Sequence, residues 1–214
     1  MNLLIIGSGG HAKVVAETAS LMKIFSEIAF LDDKFDSNIM NQSELRWKIV
    51  GNLSDITSEH IKKKYSHAFV GIGDVTARER FLNILKVNNY LLATIIHPSS
   101  YVSPSAKIGK GSVVLAKAAI QTNCLIGLGC IINTSSSLDH DVIIKDFVHI
   151  SPGANIAGNT KIESRSWIGI GASVIQGLHI GKDVIIGAGA AVVNNLPNNV
   201  TVVGVPAKNI DTKN

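Results

Sequence analysis

From Tyr101 to Asn194 the chain keeps a period of six residues, and few folds can accommodate it. Val102, Ile108, Val114, Ile120, Ile126, Ile132, Leu138, Ile144, Ile150, Ile156, Ile162, Ile168, Val174, Ile180, Ile186 and Val192 form an unbroken aliphatic column. The column two places earlier, which includes Ala106, Ser112, Ala118, Cys124, Cys130, Ser136 and Ala154, is mostly small. A helix of 3.6 residues per turn cannot hold a period of six on one face. The pattern predicts short strands that turn at a fixed interval, six residues to a side and three sides to an 18-residue coil, about five coils in all. No insertion breaks the column, so no long loop is expected to interrupt the prism.

The first 97 residues have a different texture. Apolar runs at Asn2–Ile6, Ile28–Leu31, Ala68–Ile72 and Leu91–Ile96 predict strands, with Trp47–Val50 as a further short one. Helices are expected after Gly10, with Val14, Val15, Thr18 and Leu21 on one buried face, near Ser54–Lys64 and over Thr76–Asn88. Residues 34–46 read as a polar excursion. Strands alternating with helices imply a small, Rossmann-like parallel α/β sheet. Two domains follow, residues 1–97 and 98–214, with His97-Pro98 at the junction.

Composition narrows the function. Hydrophobic content of 46% with 17% charge fits a globular chain with ample core. The net charge of +4 is modest, and the lysines are scattered apart from Lys62, Lys63 and Lys64, so no nucleic-acid surface is expected. The apolar run Leu3–Ile6 is too short for a signal segment or a membrane span, which predicts a cytoplasmic protein. Cys124 and Cys130 read as small buried residues on adjacent sides of the coil, neither a disulfide nor a metal pair.

After the first strand comes Gly7-Ser8-Gly9-Gly10-His11. Gly7, Gly9 and Ala12 satisfy G-x-G-x-x-G/A, and Asp32 closes the second strand. A domain of about 95 residues holds one nucleotide-binding half and not the two that a dinucleotide needs. The loop's glycines permit close backbone approach to a pyrophosphate, and the following helix N-terminus supplies N–H donors. A nucleoside diphosphate therefore fits better than NAD.

The opening Ile-Ile-Gly-Ser-Gly-Gly-His-Ala-Lys-Val-Val, joined to hexapeptide repeats, resembles the bacterial sugar acetyltransferase family. That family includes UDP-4-amino-sugar N-acetyltransferases of bacillosamine synthesis and sialic acid O-acetyltransferases. Leu31-Asp32-Asp33, Asn133-Thr134-Ser135-Ser136, Asp139-His140-Asp141, His149, Ala157-Gly158-Asn159 and Gly204-Val205-Pro206-Ala207-Lys208 carry the similarity further. The resemblance implies a left-handed parallel β-helix, a homotrimer with active sites at subunit interfaces, and acetyl-CoA as co-substrate. It implies His140 as general base and Asp141, where the family often has Glu, as the acid that raises its basicity. Nucleotide-sugar contacts fall on Gly9, Gly10, His11, Asp32, Asp33 and Gly73, and acetyl-CoA contacts on His149, Ile170 and Ala188. Gly158 is a candidate amide donor to the oxyanion.

Histidine suits proton removal from an attacking amine, since its ordinary pKa of about 6.5 lies near working pH. His60, His67 and His179 read as surface residues. A zinc hydratase on the same scaffold is the sharpest enzymatic rival, but the resemblance to that family implies three His ligands, two of them a few residues apart. His140, His149 and His179 lack such a pair, so no metal is expected. The reading that results is an N-acetyltransferase acting on a nucleotide-linked, UDP by preference, 4-amino-4,6-dideoxy sugar. Sialic acid O-acetylation is the alternative within the class. A noncatalytic sugar-nucleotide-binding scaffold is the alternative outside it.

Coil arithmetic bears on assembly. Gly158 lies 18 residues after His140 and stacks one coil above it, and Ala188 stacks in the same way on Ile170. The two pairs occupy different corners. One side of a coil spans roughly 15–20 Å at strand rise, so the corners cannot meet within one prism.

Overall fold

The computed structural model describes residues 1–35 and 46–210; the expected polar excursion at 34–46 falls almost wholly outside them. Two compact units divide the chain, Met1–Ile96 and His97–Asn214. Among the described residues no helix is long and apolar enough to cross a membrane.

In the first unit, β1 (Asn2–Ile6), α1 (Gly10–Leu21), β2 (Glu27–Leu31), a 3-10 turn (Leu53–Thr57), α2 (Glu59–Lys64), β3 (His67–Val70), α3 (Val75–Val87) and β4 (Leu91–Leu92) follow in order. The strands form a parallel sheet in the order β2-β1-β3-β4. Leu3, Leu4, Ile5, Ile6, Phe30 and Leu31 are fully buried, as a sheet covered on both faces requires. The stretch expected as a strand at Trp47–Val50 contributes one parallel bridge, Ile49 to Phe30. The helix expected over Ser54–Lys64 breaks at Ser58, whose extended ψ of 125° ends the 3-10 turn and starts α2. The strand expected at Leu91–Ile96 is likewise two short pieces.

The buried face of α1 meets expectation at Val15 and Thr18 and departs from it at Val14 and Leu21. Ala12, Val15, Ala16, Thr18 and Ala19 face the sheet, whereas Val14 and Leu21 are 44% and 46% exposed. Small alanines at i, i+4 and i+7, together with Val15, let the helix lie close to the strands.

The second unit is a left-handed β-helix. A two-residue strand recurs every six residues from Tyr101–Val102 to Ala191–Val192. Strands stack in parallel with partners 18 residues away, as in Lys107, Leu125, Ile143, Lys161 and His179, and so make the three faces of a prism. Each aliphatic residue is the second of its strand and points inward. From Val114 to Val192 none is more than 5% exposed, while Val102 and Ile108 in the first coil are partly open. The small column lines the inner corners. Its polar members are satisfied there by carbonyls: Ser112 Oγ donates to Gly127 O (2.8 Å), Ser166 Oγ to Gly181 O (2.7 Å) and Cys130 Sγ to Lys145 O (3.1 Å). Both cysteines are buried thiols that form no disulfide.

A third column turns the chain. Gly111, Lys117, Asn123, Gly129, Ser135, Asp141, Phe147, Gly153, Asn159, Arg165, Gly171, Gly177, Asp183 and Gly189 all have φ between 55° and 74°. The left-handed region favours Gly, Asn and Asp, which make up most of this column. After Val192 the repeat ends, and Thr201–Val203 closes the stack against Ile185–Ile186, with Lys208–Asn209 antiparallel beside it.

The first unit also buries polar groups. The Arg78 side chain is 1% exposed and donates to the carbonyls of Ile72 and Gly73, fixing the turn after β3. His11 is largely buried, with its Nε2 lacking a hydrogen-bond partner. Burial, and then the charge of Arg78, lower its pKa to about 4. A depressed histidine binds its proton less readily in the fold than in the unfolded chain, so its contribution to stability is lost as pH falls from about 6.5 to 4. Going from pH 7 to 4.5 should cost the unit about 2–3 kcal/mol more in the parent than in His11→Gln. Denaturant unfolding followed at Trp47, in a Trp167→Phe background, checks this. Equal losses in both proteins would contradict it.

Candidate active site

The order β2-β1-β3 places a switch point between the carboxyl ends of β1 and β3, where open α/β sheets bind ligands. The glycine loop after β1 and the Gly71-Ile72-Gly73 turn after β3 meet there. A Cβ on Gly7, whose φ is +90°, would lie 3.1 Å from Ile72 Cγ1, and one on Gly71 would lie 2.7 Å from Ala12 Cβ. These two glycines serve the packing. Added Cβ atoms on Gly9, Gly10 and Gly73 meet nothing within 4 Å and none of the three has a positive φ, so the fold itself does not require glycine at them. They leave open space at the N-terminus of α1, whose first turn carries no acidic residue. His11 forms part of that first turn.

Asp32 braces this loop, while Asp33 bonds to the start of the 3-10 turn. Asp32 Oδ2 accepts from Ser8 N (2.7 Å) and Ser8 Oγ (2.9 Å), and its Oδ1 from Lys34 N (3.0 Å). Burial raises the Asp32 pKa, but the donors from Lys34 and Ser8 outweigh it and leave the carboxyl below its ordinary value. Asp33 Oδ1 accepts from Leu53 N (3.2 Å). Arg78, which sequence reasoning missed, places a buried positive charge beneath the same loops. Nothing in its helical spacing separates it from a surface arginine.

In the β-helix, His140 stands at the corner between the strands Ser137–Leu138 and Ile143–Ile144. Asp141 occupies the left-handed turn position (φ 58°), which swings its side chain back toward its neighbour. Asp141 Oδ2 lies 2.9 Å from His140 Nδ1, and both side chains are about half exposed, at 43% and 50%. Asn123, one coil below, donates to Asp141 Oδ1 (3.1 Å), and Asp139 Oδ1 accepts from His140 N (2.8 Å). The hydrogen bond to Asp141, with smaller help from the charge of Asp139, raises the His140 pKa above 6.5. The same bond, followed by that from Asn123, lowers the Asp141 pKa. One coil above, a Cβ on Gly158 would fall 2.6 Å from His140 Nε2, so only glycine leaves room for the ring in this pose. A groove of about 480 Å³ with a mixed lining runs along the adjoining face, bounded among others by Gln121, Asp139, Asn155, Ile156, Val174 and Ile175.

His149, Ile170 and Ala188 gather along another face and its corner. His149 lies in register with Trp167, and their rings stack with centroids 5.8 Å apart and planes 1° from parallel. Trp167 Nε1 donates to the buried Ser151 Oγ (2.7 Å), and Asn133 Nδ2 lies 3.1 Å from His149 Nε2. Ile170 is 61% exposed, and Gly189 N donates to Ile170 O (2.8 Å), which stacks the Ala188 turn on it. Asn123 and Trp167 were also missed, and Asn133, quoted for the resemblance, was given no role. Asn123 precedes Asp141 by 18 residues and Trp167 follows His149 by 18, so the coil register applied to polar residues would have found both. His179 instead contacts Glu163 (3.2 Å). Among the described residues no three His, Cys, Asp or Glu side chains gather as metal ligands.

The sequence matches the PglD N-terminal domain over residues 2–85. It is 31% identical over 142 residues to GDP-perosamine N-acetyltransferase of Escherichia coli O157:H7, spanning 66% of this chain and 61% of that protein. To UDP-N-acetylbacillosamine N-acetyltransferase of Bacillus subtilis (strain 168) it is 36% identical over 120 residues, spanning 54% and 51%. The chain thus spans less than two thirds of the length of these curated relatives. The acetyltransferase domain of PglB from Neisseria gonorrhoeae FA1090, solved with acetyl coenzyme A, matches with a TM-score of 0.90 at 39% identity over 98% of each chain. A variant of perosamine N-acetyltransferase from Caulobacter crescentus, solved with CoA and GDP-perosamine, matches at 0.91 and 34% identity over 99% of this chain and 98% of that one. A glycine-lined switch point in the first unit and a hexad β-helix in the second, matched over nearly the full length of these solved relatives, place the chain among the bacterial sugar N-acetyltransferases of the hexapeptide-repeat class.

Proposed function

We propose that the protein transfers the acetyl group of acetyl-CoA to the 4-amino group of a nucleotide-linked 4-amino-4,6-dideoxy sugar, with His140 as general base. The observation that carries this reading is the His140–Asp141 pair at a corner open to solvent. Asp141 accepts a hydrogen bond from Nδ1–H, which leaves Nε2 unprotonated and basic. As the acceptor nitrogen bonds to the carbonyl carbon, Nε2 takes a proton from that nitrogen. The carbon–sulfur bond then breaks, and the imidazolium returns the proton to the thiolate, giving an amide and free CoA thiol. Gly158 leaves the ring its place and offers its amide to the oxyanion.

Gly9, Gly10 and Gly73 admit the nucleotide's phosphates to the N-terminus of α1, where N–H donors and the helix dipole favour anions. His11 binds beside them, Asp32 holds the loop that receives them, and Asp33 contacts the sugar nucleotide from the end of β2. His149, Ile170 and Ala188 hold acetyl-CoA. UDP is the preferred carrier, in keeping with the Bacillus relative, and the GDP-perosamine enzymes support GDP as a second reading. Use of acetyl-CoA and a nucleotide sugar puts the reaction in the cytoplasm. Free thiol release, measured with UDP-, GDP- and dTDP-linked 4-amino sugars and with sialic acids, should show turnover on a UDP- or GDP-linked amino sugar. Release on sialic acid alone would replace the reading with O-acetylation, and release on no acceptor would leave a binding scaffold.

The His140 and Ile170/Ala188 corners are one side of a coil apart, roughly 15–20 Å. We therefore assign the complete site to the interface of a homotrimer, one subunit's His140 facing a neighbour's Ala188. His140→Ala and Ala188→Trp, each nearly inactive alone, should regain a fraction of parental activity when co-refolded into mixed trimers. No recovery in verified mixed trimers would mean that both groups act within one chain.

A further inference from the structure

His149 and His140 are embedded in opposite ways, and one residue causes the difference. Asn133 closes its own turn: its Oδ1 accepts the Thr134 N–H at 2.8 Å. An amide group has one oxygen and one NH2, so the group directed at His149 must be the Nδ2 donor. It lies 3.1 Å from His149 Nε2. A ring nitrogen facing a donor at that distance must be the unprotonated, accepting one, so the proton of neutral His149 sits on Nδ1. The Thr134 contact fixes the amide's orientation independently of the imidazole, which removes the usual ambiguity of an Asn–His pair. The Trp167 stack, itself tethered to the buried Ser151, fixes the plane of the ring.

We propose that Asn133 is a positioning residue: it holds His149 as the neutral Nδ1–H tautomer, a hydrogen-bond donor to acetyl-CoA that is withdrawn from proton transfer. The donor half of this proposal rests on the reading that His149 contacts acetyl-CoA. His140 carries its proton on Nδ1 as well, against Asp141, but its Nε2 faces no donor and is left to act as the base. In His149 the equivalent lone pair is occupied by the Asn133 amide, so a protonating step there would leave an N–H facing an N–H. Asn133 thus divides the labour between the two histidines.

The test uses the full-length protein, 15N-labelled at histidine, with long-range 1H–15N correlation of the imidazoles at pH 7.5 and the His149 signals assigned through His149→Gln. The proposal expects a protonated Nδ1 and an unprotonated Nε2 for His149 in the parent. In Asn133→Asp the oxygen that accepts from Thr134 is kept and the amide is replaced by an acceptor, so Nε2 should become protonated. The Kd for acetyl-CoA, by calorimetry, should rise about tenfold, while that for the nucleotide sugar stays within about twofold. An unprotonated Nδ1 in the parent overturns the proposal, and this reading needs no variant to fold. A proton that moves to Nε2 in Asn133→Asp with acetyl-CoA affinity unaltered overturns the donor role, and with it the assignment of His149 to acetyl-CoA, while leaving the nucleotide and base assignments in place.

Discussion

The 18-residue stacking register fixes the β-helix and its candidate site alike. Each coil's backbone bonds to the coil above and below, so a side chain's neighbours are set by sequence distance in multiples of 18. Asn123, Asp141 and Asn159 occupy one such ladder, and Asn133 reaches His149, which is stacked under Trp167. The aliphatic core supplies the stability of this arrangement. The polar residues depend on it for position, because a coil that slipped by one residue would separate every pair at once.

The left-handed corner adds a second constraint. At φ near 58° the Asp141 side chain turns back on the residue before it, which is how two adjacent residues come to share a hydrogen bond. An aspartate, shorter than glutamate by one methylene, suffices there because the backbone supplies the reach. The corner above contributes by absence: Gly158 lacks the Cβ that would push the imidazole away. In the first unit the glycines divide in the same manner, Gly7 and Gly71 serving packing while Gly9, Gly10 and Gly73 leave open space.

Much of this was legible in the sequence. An aliphatic residue every six positions admits few backbones, and the glycine loop after a strand marked the switch point of the sheet. What escaped was set by contacts that spacing alone does not reveal. The face of α1 was read correctly at Val15 and Thr18 but not at Val14 and Leu21, whose places against the strands are taken by alanines. The helix near Ser54–Lys64 was read as continuous because a single extended residue, Ser58, leaves no signature in periodicity. The turn column from Gly111 to Gly189 was readable as an excess of Gly, Asn and Asp. Its lysine, phenylalanine and arginine members obscured it. Arg78 looked like any helical arginine until its burial against Gly73 was seen.

The central claim is that Asp141 tunes His140 as the base, and the pH dependence of kcat/KM for the acceptor tests it most directly. The raised pKa of His140 keeps the base protonated to a higher pH, so the acidic limb of the parental profile should lie above 6.5. Removing the carboxylate in Asp141→Asn should move that limb down toward about 6.5, while any limb from the acceptor's own amine stays in place and serves as the internal reference. Superimposable profiles for parent and variant would contradict the account.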